Sequence, residues 1–163
     1  MSHRPAQKFL GNRIVFTGEQ SYAHPPEAVF PMLCPVREYE YIPPWECDLV
    51  YLDSGLAEDG GVFTTHFPTD GAQPDVWVIS RYETNRAIEF VRVSGLRTMV
   101  YRVDLRGTEA GGTAVRWEQI ITGLTEEGNQ HIQTLQQSDF TAMLAHMEEL
   151  LQHDLATSKA ANP

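Results

Sequence analysis

The chain has 163 residues, 42% apolar and 21% charged, and 12 Lys+Arg against 22 Asp+Glu give it a net charge of −10 at pH 7. That is the composition of one globular domain long enough to bury a core, and the charge argues against binding to phosphate backbones or anionic membrane surfaces, both of which call for basic patches. There is no apolar run of about 18 residues to span a membrane, and the N-terminal MSHRPAQKFLGN lacks the apolar centre of a secretory signal, so the expected compartment is the cytoplasm, with Cys34 and Cys47 as free thiols.

Residues 1–12 are polar and marked by Gly and Pro, and they read as a flexible segment. Arg13–Tyr22 is rich in β-branched and aromatic side chains and predicts a strand. In the following AHPPEAVFPMLCPV, Pro25 or Pro26 suits the first turn of a helix and Pro31 limits its length. A second short helix is expected around Val36–Tyr41, ended by Pro43-Pro44. From Glu46 the period changes to two, and six strands are predicted: Glu46–Leu52, Val62–Phe67, Asp75–Glu83, Ala87–Ser94, Leu96–Arg106 and Thr113–Thr122. Their short Gly-, Asp- and Asn-bearing connections favour an antiparallel meander.

Charges fix the faces of the last two strands. Arg102, Asp104, Arg106, Arg116 and Glu118 must meet water, so Met99, Tyr101, Val103 and Leu105 face in, with Thr113, Val115, Trp117, Gln119 and Ile121. The intervening loop places Tyr101 opposite Trp117 or Gln119. After Gly128 a 3.6-residue period predicts one helix over Asn129–Leu155, with Ile132, Leu135, Gln136, Phe140, Met143, Leu144, Met147, Leu150, Leu151 and Leu155 on one face. Its roughly 25 residues would span about 38 Å, enough to cross a sheet. Residues 156–163 read as a flexible tail, leaving 13–155 as a single domain.

One strand, two short helices, a six-strand meander and a long last helix make an α+β chain. Only the last helix is long enough to cover the apolar face of the sheet. This order resembles the helix-grip fold of the START-like superfamily, also called SRPBCC. The strings YIPPWECDLVYLDSGLAEDGGVFTTHF, WVISRYETNRAIEFVRV and ITGLTEEGNQHIQTL are similar to its polyketide cyclase/dehydrase-like branch. The resemblance covers residues 13–155. It implies a curved seven-stranded antiparallel sheet wrapped on the long C-terminal helix, two short helices after strand 1, and a cavity between sheet and helix. Members of that superfamily bind lipids, polyketides or hormones, so the resemblance implies a fold more than a reaction.

The expected lining is Trp77, Met99, Tyr101, Trp117 and Gln119 from the sheet and Phe140, Met143, Leu144 and Met147 from the helix. Tyr, Trp and Gln each bring a polar atom that needs a partner when buried. A ligand or water would supply one, and so would backbone or the end of the sheet. Tyr101 and His66 are weak candidates for moving a proton. With Phe63, Thr65 and Phe67 facing in, His66 faces out, although no charge secures that parity. His146, Glu149 and His153 share a side of the helix, 100–160° from the centre of its apolar stripe, and are expected to face solvent rather than hold a metal. Glu38, Glu40, Glu46, Asp48 and Asp53 read as a solvated acidic edge. No nucleotide, hydrolase or zinc motif is present, so no cofactor and no metal are expected.

Three functions compete. A cavity binding a small hydrophobic or amphipathic molecule is placed first. A cyclase, dehydratase or isomerase acting on a polyketide-like or lipid-like substrate is second. A protein-interaction module whose side chains fill the cavity is third. The expected partners are a small hydrophobic ligand and, at most, a second copy of the chain, as monomer or homodimer. A titratable group with a displaced pKa inside the cavity separates the first two, and cavity volume separates the third. Trp in place of Met143 or Leu144 is expected to fill the space.

Overall fold

The computed structural model describes residues 9–43, 45–67 and 72–160. The first part of the expected flexible N-terminus, Pro44 of the Pro-Pro stop, part of the turn after the third strand and the end of the polar tail lie outside them.

The elements run β1 (Arg13–Tyr22), α1 (Pro26–Val29) passing into a 3-10 turn (Phe30–Leu33), α2 (Pro35–Glu38), β2 (Asp48–Tyr51), β3 (Val62–Thr65), β4 (Asp75–Glu83), β5 (Ala87–Val93), β6 (Arg97–Gly107), β7 (Thr113–Gly123), α3 (Glu126–Thr134) and α4 (Gln137–Ala160). Pro26, Pro31 and Pro35 each stand in the first turn of one short element, where a missing N–H is not needed. The seven strands form one curved antiparallel sheet in the order β1-β7-β6-β5-β4-β3-β2. Tyr101 pairs with Gln119 and Val103 with Trp117. The inward set read from the charges is the buried one: Met99, Val103, Leu105, Val115, Trp117 and Ile121 are all in the core. Among the described residues, no helix is long and apolar enough to cross a membrane. Cys34 and Cys47 are both free.

The expectation of one uninterrupted C-terminal helix is corrected. Leu135 takes an extended backbone (φ −76°, ψ 141°) and ends α3, and a new helix begins at Gln137. The two helices dock on different ground. Thr125 caps α3 by accepting from the Gly128 N–H at 3.0 Å. Gly128 sits so close to the Leu96 carbonyl that a Cβ there would lie 2.0 Å from its oxygen. The Asn129 amide bonds to Asn12 N and Leu10 O, anchoring α3 beside the start of β1. A straight continuation could not also lie along β1, so the chain turns at Leu135.

Helix α4 then covers the free edge of β1, whose backbone groups would otherwise lack partners. The Gln137 side chain donates to Thr17 O at 2.8 Å and accepts from Thr17 N. Further along, Glu148 accepts from Ser21 N and Gln152 donates to Ser21 O. Phe140 stacks on Phe16, with ring centroids 5.9 Å apart. Leu144 presses on Gly18, where a Cβ would lie 2.4 Å from Leu144 Cδ1. The absence of a side chain at 18 lets helix and sheet approach this closely.

Candidate functional site

Because α4 sits over β1, the sheet curves away from it on the side of β4, β5 and β6. The gap is a cavity of about 290 Å³, at the lower edge of the size expected for small-molecule sites. Its floor is aromatic. The Trp77 ring stacks on Phe63 and on Tyr101, each 5.4 Å between centroids, and meets Phe90 and Trp45 edge-on. Met143, His146, Met147 and Leu150 of α4 form the opposite wall, and Pro35, Glu38, Ile42 and Trp45 close one end. Met143 is 42% exposed and His146 is exposed as well, which places them at the mouth.

Of the nine expected lining residues, Trp77, Tyr101, Trp117, Met143 and Met147 border this cavity. Met99, Gln119, Phe140 and Leu144 do not. Phe140 and Leu144 belong to the close-packed contact with β1, and Met99 is 1% exposed beneath the sheet's inner layer. Gln119 spends its amide on Met99, with Nε2 3.8 Å from Sδ. The other polar tips are also satisfied internally. Trp117 Nε1–H donates to Gln20 Oε1 at 2.7 Å, and Gln20 in turn donates to Leu144 O at 2.8 Å. Trp77 Nε1–H donates to Thr65 Oγ1 at 2.8 Å, and the Tyr101 hydroxyl lies 3.3 Å from Met99 Sδ.

His66 is exposed and faces a separate depression with Tyr39, Cys47 and Asp48 on the outside of the sheet. His146 corrects the reading of the helix. The buried stripe centres on Phe140, Leu144, Leu151 and Leu155, and its flank at Met143 and Met147 brings His146 to the rim of the cavity. Glu149 and His153 stay exposed. Among the described residues, no cluster of His, Cys, Asp or Glu has the arrangement of a metal site.

Two features inside the cavity were not foreseen. Arg92 of β5 points inward, with its Nε 2.6 Å and Nη2 2.5 Å from Asp75 Oδ2, and Asp75 is 1% exposed. The guanidinium also lies over Phe67 and Trp77, 4.9 and 5.0 Å from their centroids. The second is Glu38, at the end of α2. It is half-buried and borders the cavity space, and among the described residues its carboxyl has no hydrogen-bond or ion-pair partner. Burial pushes its pKa from the ordinary 4.5 up to about 8. The acidic-edge reading is corrected here, because Glu38 is turned in by α2 while Glu40, Glu46, Asp48 and Asp53 remain exposed. A larger depression of about 670 Å³ lies among charged side chains of β1, β6 and β7, including Glu19, Asp104, Arg106 and Arg116, and lacks the enclosed aromatic character of the cavity.

No protein-family model matches the chain, and no curated protein matches its sequence. Solved structures do share its fold. A norcoclaurine synthase point mutant of Thalictrum flavum, in complex with a transition-state analogue, superposes with a TM-score of 0.67 at 11% identity, covering 93% of this chain and 99% of that one. A protein of unknown function from Staphylococcus aureus gives 0.61 at 12% identity, covering 92% and 98%. DynU16, a protein of the dynemicin biosynthetic locus, gives 0.59 at 15% identity, covering 88% of this chain and 48% of that protein. The fold shared with these structures is a helix grip, a curved antiparallel sheet against a long C-terminal helix.

Proposed function

We propose that the chain binds one small, mostly apolar molecule, aromatic or amphipathic, in the cavity between α4 and strands β4–β6. The observation that carries this reading is an open-mouthed space of about 290 Å³ whose floor is a stack of aromatic rings. A structural core would fill such a space, since interiors pack to crystal density. Met143 and Met147 give the helix wall side chains that adapt to a guest. Arg92 and Glu38 add polar groups at fixed points, the mixture typical of ligand sites. The bound transition-state analogue of the norcoclaurine synthase neighbour, and the biosynthetic locus of DynU16, are consistent with a small-molecule guest in this fold. The same volume speaks against an interaction module filled by its own side chains.

All three tryptophans of the chain, Trp45, Trp77 and Trp117, border the cavity, so intrinsic fluorescence reports its occupancy. Titration with nitrobenzene and nitronaphthalene, which quench indole on contact, is expected to give saturable quenching. A rise in melting temperature should follow RT ln(1+[L]/Kd). Quenching that is only linear, with no thermal shift for either compound, would remove the binding reading.

A further inference from the structure

We infer that Glu38 makes the cavity a proton-transfer site, its carboxylate serving as general base towards an acidic C–H of a small apolar carbonyl compound. The inference rests on the proposed binding cavity and goes beyond it to a reaction class. The argument begins with placement. Glu38 ends α2 and reaches the cavity, and no described residue offers its carboxyl a hydrogen bond or a counter-charge. A structural carboxyl of this kind would be expected to hold a partner, because leaving a charge unpaired in an apolar site is costly. One left facing a guest space instead is kept basic by its poor solvation, and its affinity for protons is tuned to near neutrality.

The groups around it are consistent with that role. Tyr41 and Cys47 are its titratable neighbours on its own side, and neither carries positive charge. Across the cavity stand His146 at the rim on α4, Tyr101 on β6, and Arg92 on β5 with Asp75 of β4 beside it. Arg92, held by Asp75, is the positive charge of the lining, and Tyr101 can exchange its weak contact with Met99 Sδ for an oxyanion that develops on a guest. The step balances within the guest. The C–H electron pair moves to form the enolate, and the proton passes to a Glu38 oxygen. Where a C=C bond adjoins the acidic carbon, the enolate extends over it, and return of that proton to the far carbon regenerates the carboxylate and leaves an isomer with the double bond shifted. No oxidant, reductant or further reactant takes part.

The test uses 5-nitrobenzisoxazole, an apolar bicyclic compound that reports a carboxylate base in an apolar site. Removal of its ring C–H proton forms a nitrile, breaks the N–O bond and releases a coloured cyanonitrophenolate, while the proton passes through Glu38 to solvent. The full chain is expected to accelerate this at least about a hundredfold over free acetate at equal concentration. The rate should rise with pH to a plateau, with its midpoint near about 8. Glu38→Gln should fall to the level of solvent while still quenching tryptophan fluorescence with the same probe. His66→Ala, outside the cavity, should keep the full rate. Probe binding without Glu38-dependent turnover would overturn the inference and leave the binding reading standing. Absence of both quenching and turnover would overturn the two together.

Discussion

Two sides of one helix behave differently in this molecule. Towards β1, α4 places Phe140 and Leu144 against Phe16 and Gly18, and its polar side chains close the strand's edge. One step around the same helix, Met143 and Met147 look across open space at Trp77 and Tyr101. The composition of the two faces is much the same, and the difference lies in what opposes them. A glycine in β1 admits the helix, whereas large rings on the curved strands β4–β6 hold it off. A cavity in this fold is thus the consequence of fixing the helix at one edge of a curved sheet.

The open side also carries the buried charge, and the largest predicted effect lies there. Asp75→Asn leaves Arg92 buried without its carboxylate and is expected to lower stability by roughly 3–5 kcal/mol. Urea unfolding would measure it. A loss under about 1 kcal/mol would mean that solvent already screens the pair. The closed side should come close behind. Leu144→Ala opens a hole in a tight contact and should lose roughly 3 kcal/mol, while Met147→Ala merely enlarges an existing space and should lose about 1 kcal/mol or less. Equal losses would show that the two faces are packed alike.

A third effect is a difference in pH dependence. The folded chain holds the Glu38 proton more tightly than the unfolded chain does, with a folded pKa of about 8 against an ordinary 4.5. Its contribution to stability is therefore complete below the ordinary value and is lost as pH rises through the folded one. Between about pH 5 and pH 9 the wild type should lose on the order of 4 kcal/mol more than Glu38→Gln. Parallel profiles would indicate that the carboxyl is solvated.

The same contrast explains what the sequence made legible. On β6 and β7 the charged residues all alternate outward, so Tyr101 and Trp117 could be placed from parity. On β4 and β5 that rule misleads, because Asp75 and Arg92 face inward and neutralise each other. Phe90 follows from the same alternation once Arg92 is allowed inside. The close contact at Gly18 depends on how near α4 approaches, which no periodicity records, so Phe140 and Leu144 looked like cavity residues. Ile132, Leu135 and Phe140 still fall within one broad apolar face at about 100° per residue, which hides the break. Glu38 was beyond reach because α2 is a single turn with no stripe of its own, and only the folded chain decides which way it points.

The smallest effect on stability should be the most telling for function. Met147→Trp adds volume where space already exists, so the strain of overpacking should stay below roughly 1 kcal/mol. Leu144→Trp, by contrast, would drive a ring into Gly18 and should prevent folding, since a single Cβ there already approaches Leu144 Cδ1 to 2.4 Å. If the gap over β4–β6 is the binding space, the Met147 variant keeps its melting temperature but no longer gains from nitronaphthalene. Retention of the full ligand-induced shift would place the guest elsewhere, and the larger charged depression along β1, β6 and β7 would then be the region to probe. The measurement separates position from stability, because Met147 lines the cavity while the α4–β1 contact is made by Phe140 and Leu144.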